Sequence, residues 1–149
     1  MLEGILTGEL VLPAGDTAEP FVDTDDIADI AVAALTNPEQ HNNVLELTGP
    51  RALTFAQCID ELAQALGRPL KYTPVPVDAY IETLRKQGAP VAMQQLLHKL
   101  FTVVFDGRNS QVMSGVEEVL GRPATDFRTY VQKTVSSGVS DTPQHKEST

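Results

Sequence analysis

The chain has 149 residues, 42% of them hydrophobic, enough for one domain with a genuine core and too few for a second large one. Its 20 acidic and 11 basic residues give a formal charge of −9. That balance argues against nucleic acid as a partner, because a phosphate-backbone binder needs clustered Lys and Arg to displace counterions. No stretch approaches the roughly 18 apolar residues of a membrane span. The first residues lack the basic start and apolar run of a secretion signal, so no membrane partner is expected and a cytoplasmic location is the default.

In chain order, Gly8-Glu-Leu-Val-Leu-Pro13 reads as a strand closed by the turn formers Ala14-Gly-Asp16, with Phe21 and Val22 continuing on the far side. Asp23 or Thr24 then caps a helix over about 24–36, and Asp25 and Asp26 sit where the helix dipole favours negative charge. Ile27, Ile30, Ala31, Ala34 and Leu35 share one face, which is expected to be core. Asn37-Pro38 ends that helix. Val44-Leu-Glu-Leu-Thr48 is the one clear central strand, stopped by Gly49-Pro50. Thr54-Phe-Ala-Gln57 has capping-box form, and Phe55, Ile59, Leu62, Ala63 and Leu66 mark the buried stripe of the helix it opens, with Gly67 as its C-terminal cap.

Leu70-Lys-Tyr-Thr-Pro-Val75 begins as a strand, but Pro74 removes a ladder donor and points to an edge or a strand end. A helix from about Val77 to Gln87 closes at Gly88. A longer one follows Pro90, with Met93, Leu96, Leu97, Leu100, Phe101 and Val104 as an apolar stripe that Val103 and Phe105 widen. Such a helix must be covered by its own domain or by a partner. Ser114-Gly-Val-Glu117 is a second capping box, its helix ending at Gly121. A last helix starts at Thr125 or Asp126 with Phe127, Tyr130 and Val131 inward. Residues 1–133 form the expected domain and 134–149 an expected disordered polar tail. The echo of Ala65-Leu-Gly-Arg-Pro69 in Val119-Leu-Gly-Arg-Pro123 is a repeated helix stop without matching flanks, not a duplication.

Sites of chemistry are sparse. Asp23, Asp25 and Asp26 do not spread over about twelve residues as a calcium loop would, and capping accounts for them. His41, His98 and His145 have no partners at metal or triad spacing, and no Gly-x-Ser-x-Gly elbow is present. The lone Cys58 lies in an amphipathic helix pattern, the setting of a buried structural thiol. Arg51, Arg68 and Arg122 are expected to be solvated turn residues. Open α/β sheets place ligands beyond the carboxyl ends of their strands, which singles out Thr48, Gly49 and Pro50, although ordinary turn chemistry explains the same residues.

The stretch Pro20-Phe-Val-Asp-Thr-Asp-Asp-Ile-Ala-Asp29 turns a short strand into a strongly capped helix. Followed by Leu45-Glu-Leu-Thr-Gly-Pro50 and Ala65-Leu-Gly-Arg-Pro69, it resembles the C-terminal half of NmrA-like NAD(P)-binding proteins, atypical members of the short-chain dehydrogenase superfamily. The likeness covers roughly residues 5 to 133. It implies an α/β fold: the C-terminal part of a doubly wound, Rossmann-like fold, with a three- or four-stranded partial sheet and a helical C-terminal region. It also implies NAD(P) as cofactor and hydride transfer to a small organic acceptor such as a quinone. The family's G-x-x-G-x-x-G loop is absent from this chain, however. So is a Tyr-x-x-x-Lys pair, since Tyr72, Tyr80 and Tyr130 are followed four residues later by Pro76, Leu84 and Thr134. No catalytic residue is therefore assigned.

In the full-length relatives this half supplies the substrate-pocket wall, and the resemblance carries that role to Phe21, Thr48, Gly49 and Pro50. The expected partner is a small-molecule substrate or a partner protein, with a homo-oligomer or a missing N-terminal half as the completing element. The alternative is a non-enzymatic ligand-sensing or protein-binding regulatory module on the same fold.

Overall fold

A computed structural model describes residues 2–38 and 43–138. Helix α1 (Leu2–Thr7) leads into strand β1 (Glu9–Leu12), and β2 (Ala18–Glu19) precedes helix α2 (Thr24–Thr36). Strand β3 (Leu53–Thr54) opens directly into α3 (Phe55–Leu66), followed by β4 (Lys71–Pro74), α4 (Val77–Lys86) and α5 (Val91–Lys99). Helices α6 (Gly115–Leu120) and α7 (Phe127–Ser136) complete the order. No helix among the described residues is long and apolar enough to cross a membrane.

Local chemistry sets the main helix ends. The Asp23 carboxylate accepts the N–H of Asp25 at 3.0 Å and caps α2. The Thr54 hydroxyl accepts from the Gln57 N–H at 3.2 Å while the Gln57 side chain accepts from the Thr54 N–H at 2.9 Å, so the expected capping box forms. Gly67 ends α3 in the left-handed region at φ 64°, which a residue without a Cβ adopts freely. The second expected box does not form: no side chain caps α6, and the Ser114 hydroxyl bonds Glu118 instead of a backbone N–H.

The fold is α/β with a small partial sheet, and the four strands among the described residues pair as two ladders. β1 pairs parallel with β4, and β2 pairs antiparallel with β3. The expected central strand, Val44–Thr48, has no ladder among the described residues. Its side chains still alternate, with Leu45 and Leu47 half-buried and Val44 and Glu46 exposed, because α6 covers one face. Strand pattern is local, whereas a ladder needs a second backbone.

Leu10, Leu12, Ala14, Phe55 and Ile59 form the central core, and rings close around it. A π-helical turn at Leu100–Val104 follows α5, with the Phe105 N–H donating to the Leu100 carbonyl at 2.9 Å. The turn stacks Phe101 on Phe105 at 5.6 Å, and Phe105 meets Phe55 edge-on at 5.5 Å. Three expectations of burial are corrected. On α2, Ile30 is buried and Ala34 half-buried, but Ile27, Ala31 and Leu35 are exposed. On α5 and the turn, Met93, Leu96 and Val104 are exposed, while Leu97, Leu100 and Phe101 are half-buried against α4. Tyr130 is 39% exposed, leaving Val131 as the buried residue of α7.

Thr134 to Ser136 belong to α7 rather than to a disordered tail. Residues 39–42, with His41, and 139–149, with His145, lie outside the described residues. His98 sits on the surface of α5, 3.8 Å from Asp78.

Candidate substrate-side site

The site is built on a crossing of two backbones. Gly49 donates its N–H to the Pro20 carbonyl at 3.0 Å, and a Cβ at Gly49 would lie 2.0 Å from the Phe21 oxygen. Only glycine lets the end of the 44–48 segment pass this close. One residue earlier, the Thr48 hydroxyl accepts the Met113 N–H at 2.9 Å and has the carbonyls of Gly49 and Met113 within reach for its own proton. Thr48 therefore ties the segment to the loop before α6.

Phe21, placed by this crossing, meets Phe55 edge-on at 5.5 Å and Phe127 at 6.0 Å. It lines a cleft of about 190 Å³ with Val22, Asp23, Thr24, Thr125, Phe127 and Tyr130. Pro50 lines a different cavity of about 400 Å³ beside Met113, Val116 and Pro123. Phe21, Thr48, Gly49 and Pro50 are thus neighbours along the crossing, and these two cavities divide Phe21 from Pro50.

Two clamps hold the wall opposite Phe21. Arg51 Nε donates to Asp126 Oδ2 at 2.6 Å, and its Nη2 lies 2.8 Å from Glu61 on α3. Asp126 is also the N-cap of α7, so this arginine fixes the start of the helix that carries Phe127 and Tyr130. The second clamp is Asp26, which is fully buried and accepts from the Thr125 N–H at 2.7 Å and from Arg122 at 2.8 Å. Burial pushes its carboxyl up, but the Thr125 N–H and Arg122 outweigh burial and hold it below the ordinary range. The arginines expected in solvent are structural: Arg122 also bonds Asp29, and Arg68 donates to the Ile5 carbonyl. Their partners lie far off in sequence, where no motif marks them.

The rings of Phe21, Phe127 and Tyr130 and the Val22 side chain give the cleft its apolar surface, and Asp23, Thr24 and Thr125 its polar part. Its volume is below the roughly 300 Å³ of the smallest usual ligand pocket. The starts of α2 and α3 do not suit a pyrophosphate: the N-terminus of α2 carries Asp23, Asp25 and Asp26, and that of α3 is closed by its own capping box. No group of acidic, Cys or His side chains among the described residues could hold a metal.

The chain's relatives and structural neighbours are NmrA-like, atypical short-chain dehydrogenase/reductase proteins, of which it matches about half the length, consistent with a C-terminal half. It is 30% identical over 125 residues to the NAD(P)H azoreductase of Xenophilus azovorans, covering 84% of this chain and 44% of that protein. It is 33% identical over 114 residues to a (4-alkanoyl-5-oxo-2,5-dihydrofuran-3-yl)methyl phosphate reductase of Streptomyces griseus, covering 76% of this chain and 40% of that one. The fold also matches an NADPH-dependent quinone oxidoreductase of Escherichia coli solved with NADPH, at a TM-score of 0.78 and 20% identity over 89% of this chain and 47% of the other. No family model matches the chain. The chain spans less than half the length of these proteins.

Proposed function

We propose that residues 1–133 form the acceptor-binding half of an NAD(P)H-dependent reductase acting in the cytoplasm on a small organic molecule such as a quinone. The observation that carries this reading is the aromatic cleft at the Phe21–Gly49 crossing. Phe21, Phe127 and Tyr130 offer ring faces and edges to a planar acceptor, and Thr48, Gly49 and Pro50 set the crossing that positions Phe21. These residues bind, orient and exclude water from one side of the acceptor; the nucleotide site belongs to the other half of the fold. The reductase relatives support this assignment by resemblance.

Equilibrium dialysis with 1,4-naphthoquinone tests it. The expected result is saturable binding that weakens on the order of tenfold in Phe21→Ala, since an aromatic anchor in a small cleft carries much of the affinity. Absence of binding by the unaltered, folded chain would sink the proposal. A second reading, a protein-binding regulatory module, draws on the exposed Val91, Met93 and Leu96 of α5. It expects a Leu96→Asp variant to fold normally and lose a protein partner while keeping naphthoquinone affinity.

A further inference from the structure

Glu19 is a buried acid that the fold leaves without a partner. It ends β2, is 9% exposed, and its Oε1 is buried with no hydrogen bond among the described residues. An ionised carboxylate in that position lacks the bonds that make burial of a charge tolerable, whereas a neutral carboxyl costs much less to bury. The backbone fixes its place: Glu19 lies opposite Leu53 in the β2–β3 ladder, and its carbonyl accepts the Phe21 N–H at 3.1 Å. Phe21 and Phe105 both meet Phe55 edge-on at 5.5 Å, so the end of the π-helical turn closes over the same ring. Asp106 follows Phe105 and brings a second negative charge to bear on Glu19. The other charged groups of the adjoining elements are paired or in solvent. Arg108 is held by both Asp106 oxygens at 2.7 and 3.0 Å, Arg51 is held by Glu61 and Asp126, Asp23 caps α2, and Asp16, Asp60 and Lys99 are exposed.

We propose that Glu19 is a proton-operated latch on the turn at Leu100–Phe105: with its carboxyl neutral the turn seats on Phe55, and ionisation of Glu19 loosens it. Burial pushes the carboxyl up from its ordinary value, and Asp106 adds to the effect. A carboxyl raised in the folded state contributes stability that is full below its ordinary value and is lost as pH rises through the folded value. Seating of the turn therefore weakens from mildly acid to mildly alkaline solution. The repulsion falls on the turn rather than on the whole fold, because Asp106 lies in the loop just after the turn while the β2–β3 ladder holds Glu19 in place. Phe55 passes the change to Phe21, one wall of the cleft. The device does not depend on what that cleft binds.

Amide hydrogen exchange on the full chain tests it, read as protection factors so that the intrinsic pH dependence of exchange is removed. The Phe105 N–H, bonded to the Leu100 carbonyl, reports the turn, and the Val131 N–H within α7 serves as the reference. The expected result is a loss of Phe105 protection on the order of tenfold between pH 5 and pH 8, the effect of about one pKa unit, with Val131 unchanged. Glu19→Gln should hold Phe105 protection constant over the same range. Carbon-13 titration of the Glu19 carboxyl in the parent chain needs no variant, and its midpoint is expected above 4.5, the ordinary glutamate value. Constant Phe105 protection in the parent, an equal loss at Val131, the same pH dependence in Glu19→Gln, or a Glu19 midpoint at or below 4.5 would overturn the proposal.

Discussion

Arg51 links stability to the shape of the cleft, and replacing it with alanine tests that link. Its guanidinium joins Glu61 on α3 to Asp126 at the start of α7, with side-chain exposures of 37% for Arg51 and 7% for Glu61. Removing one partner of a fully buried ion pair costs about 3–5 kcal/mol. Here the arginine is partly solvated and Arg128 stays 3.4 Å from Glu61, which reduces the expected loss to about 2 kcal/mol. For a chain of this size that is a fall in Tm of about 6 °C.

The effect also has a pH signature. Arg51 holds the Asp126 carboxyl below its ordinary range, against the opposing effect of burial and with help from the Arg128 N–H. A depressed carboxylate pKa contributes stability above the unfolded value of about 4, and that stability is lost as pH falls through the lower folded value. The difference between the parent chain and Arg51→Ala should be full at pH 7 and shrink below about pH 4. Thermal melts by circular dichroism across that range measure it. A Tm change under about 1 °C at pH 7, or a difference that does not shrink in acid, would break the proposed link.

Two other substitutions or modifications probe the same packing. Gly49→Ala places a methyl 2.0 Å from the Phe21 carbonyl oxygen and should lower stability by about 2 kcal/mol or more in urea unfolding; a variant as stable as the parent would disprove the close crossing. Burial pushes the Cys58 thiol up to about 12, with Glu61 adding to the effect, so a thiol reagent at pH 8 should modify it only as fast as the chain opens. Rapid labelling of the folded protein would contradict its buried placement.

The parts legible in the sequence are those settled within a few residues. Asp23, the Thr54–Gln57 box and Gly67 set helix ends by local hydrogen bonding and backbone conformation, and each stands where the residue pattern puts it. What the pattern does not show depends on distant partners. Arg51 and Asp126 are 75 positions apart, and the two walls of the cleft, Phe21 and Phe127, come from opposite ends of the chain. The Val44–Thr48 alternation is readable, but its ladder is not, because pairing is a property of two backbones. The apolar periodicity of α2 likewise marks a helix that packs without saying which side this chain itself covers.

Calorimetric titration of the purified chain with NADPH asks directly whether this chain supplies only an acceptor wall while the nucleotide site lies in the other half of the fold. The expected result is no saturable binding up to about millimolar nucleotide, because the acidic start of α2 repels a pyrophosphate and the start of α3 is capped by its own side chains. Saturable binding in the micromolar range would contradict that division and place a cofactor site within these residues.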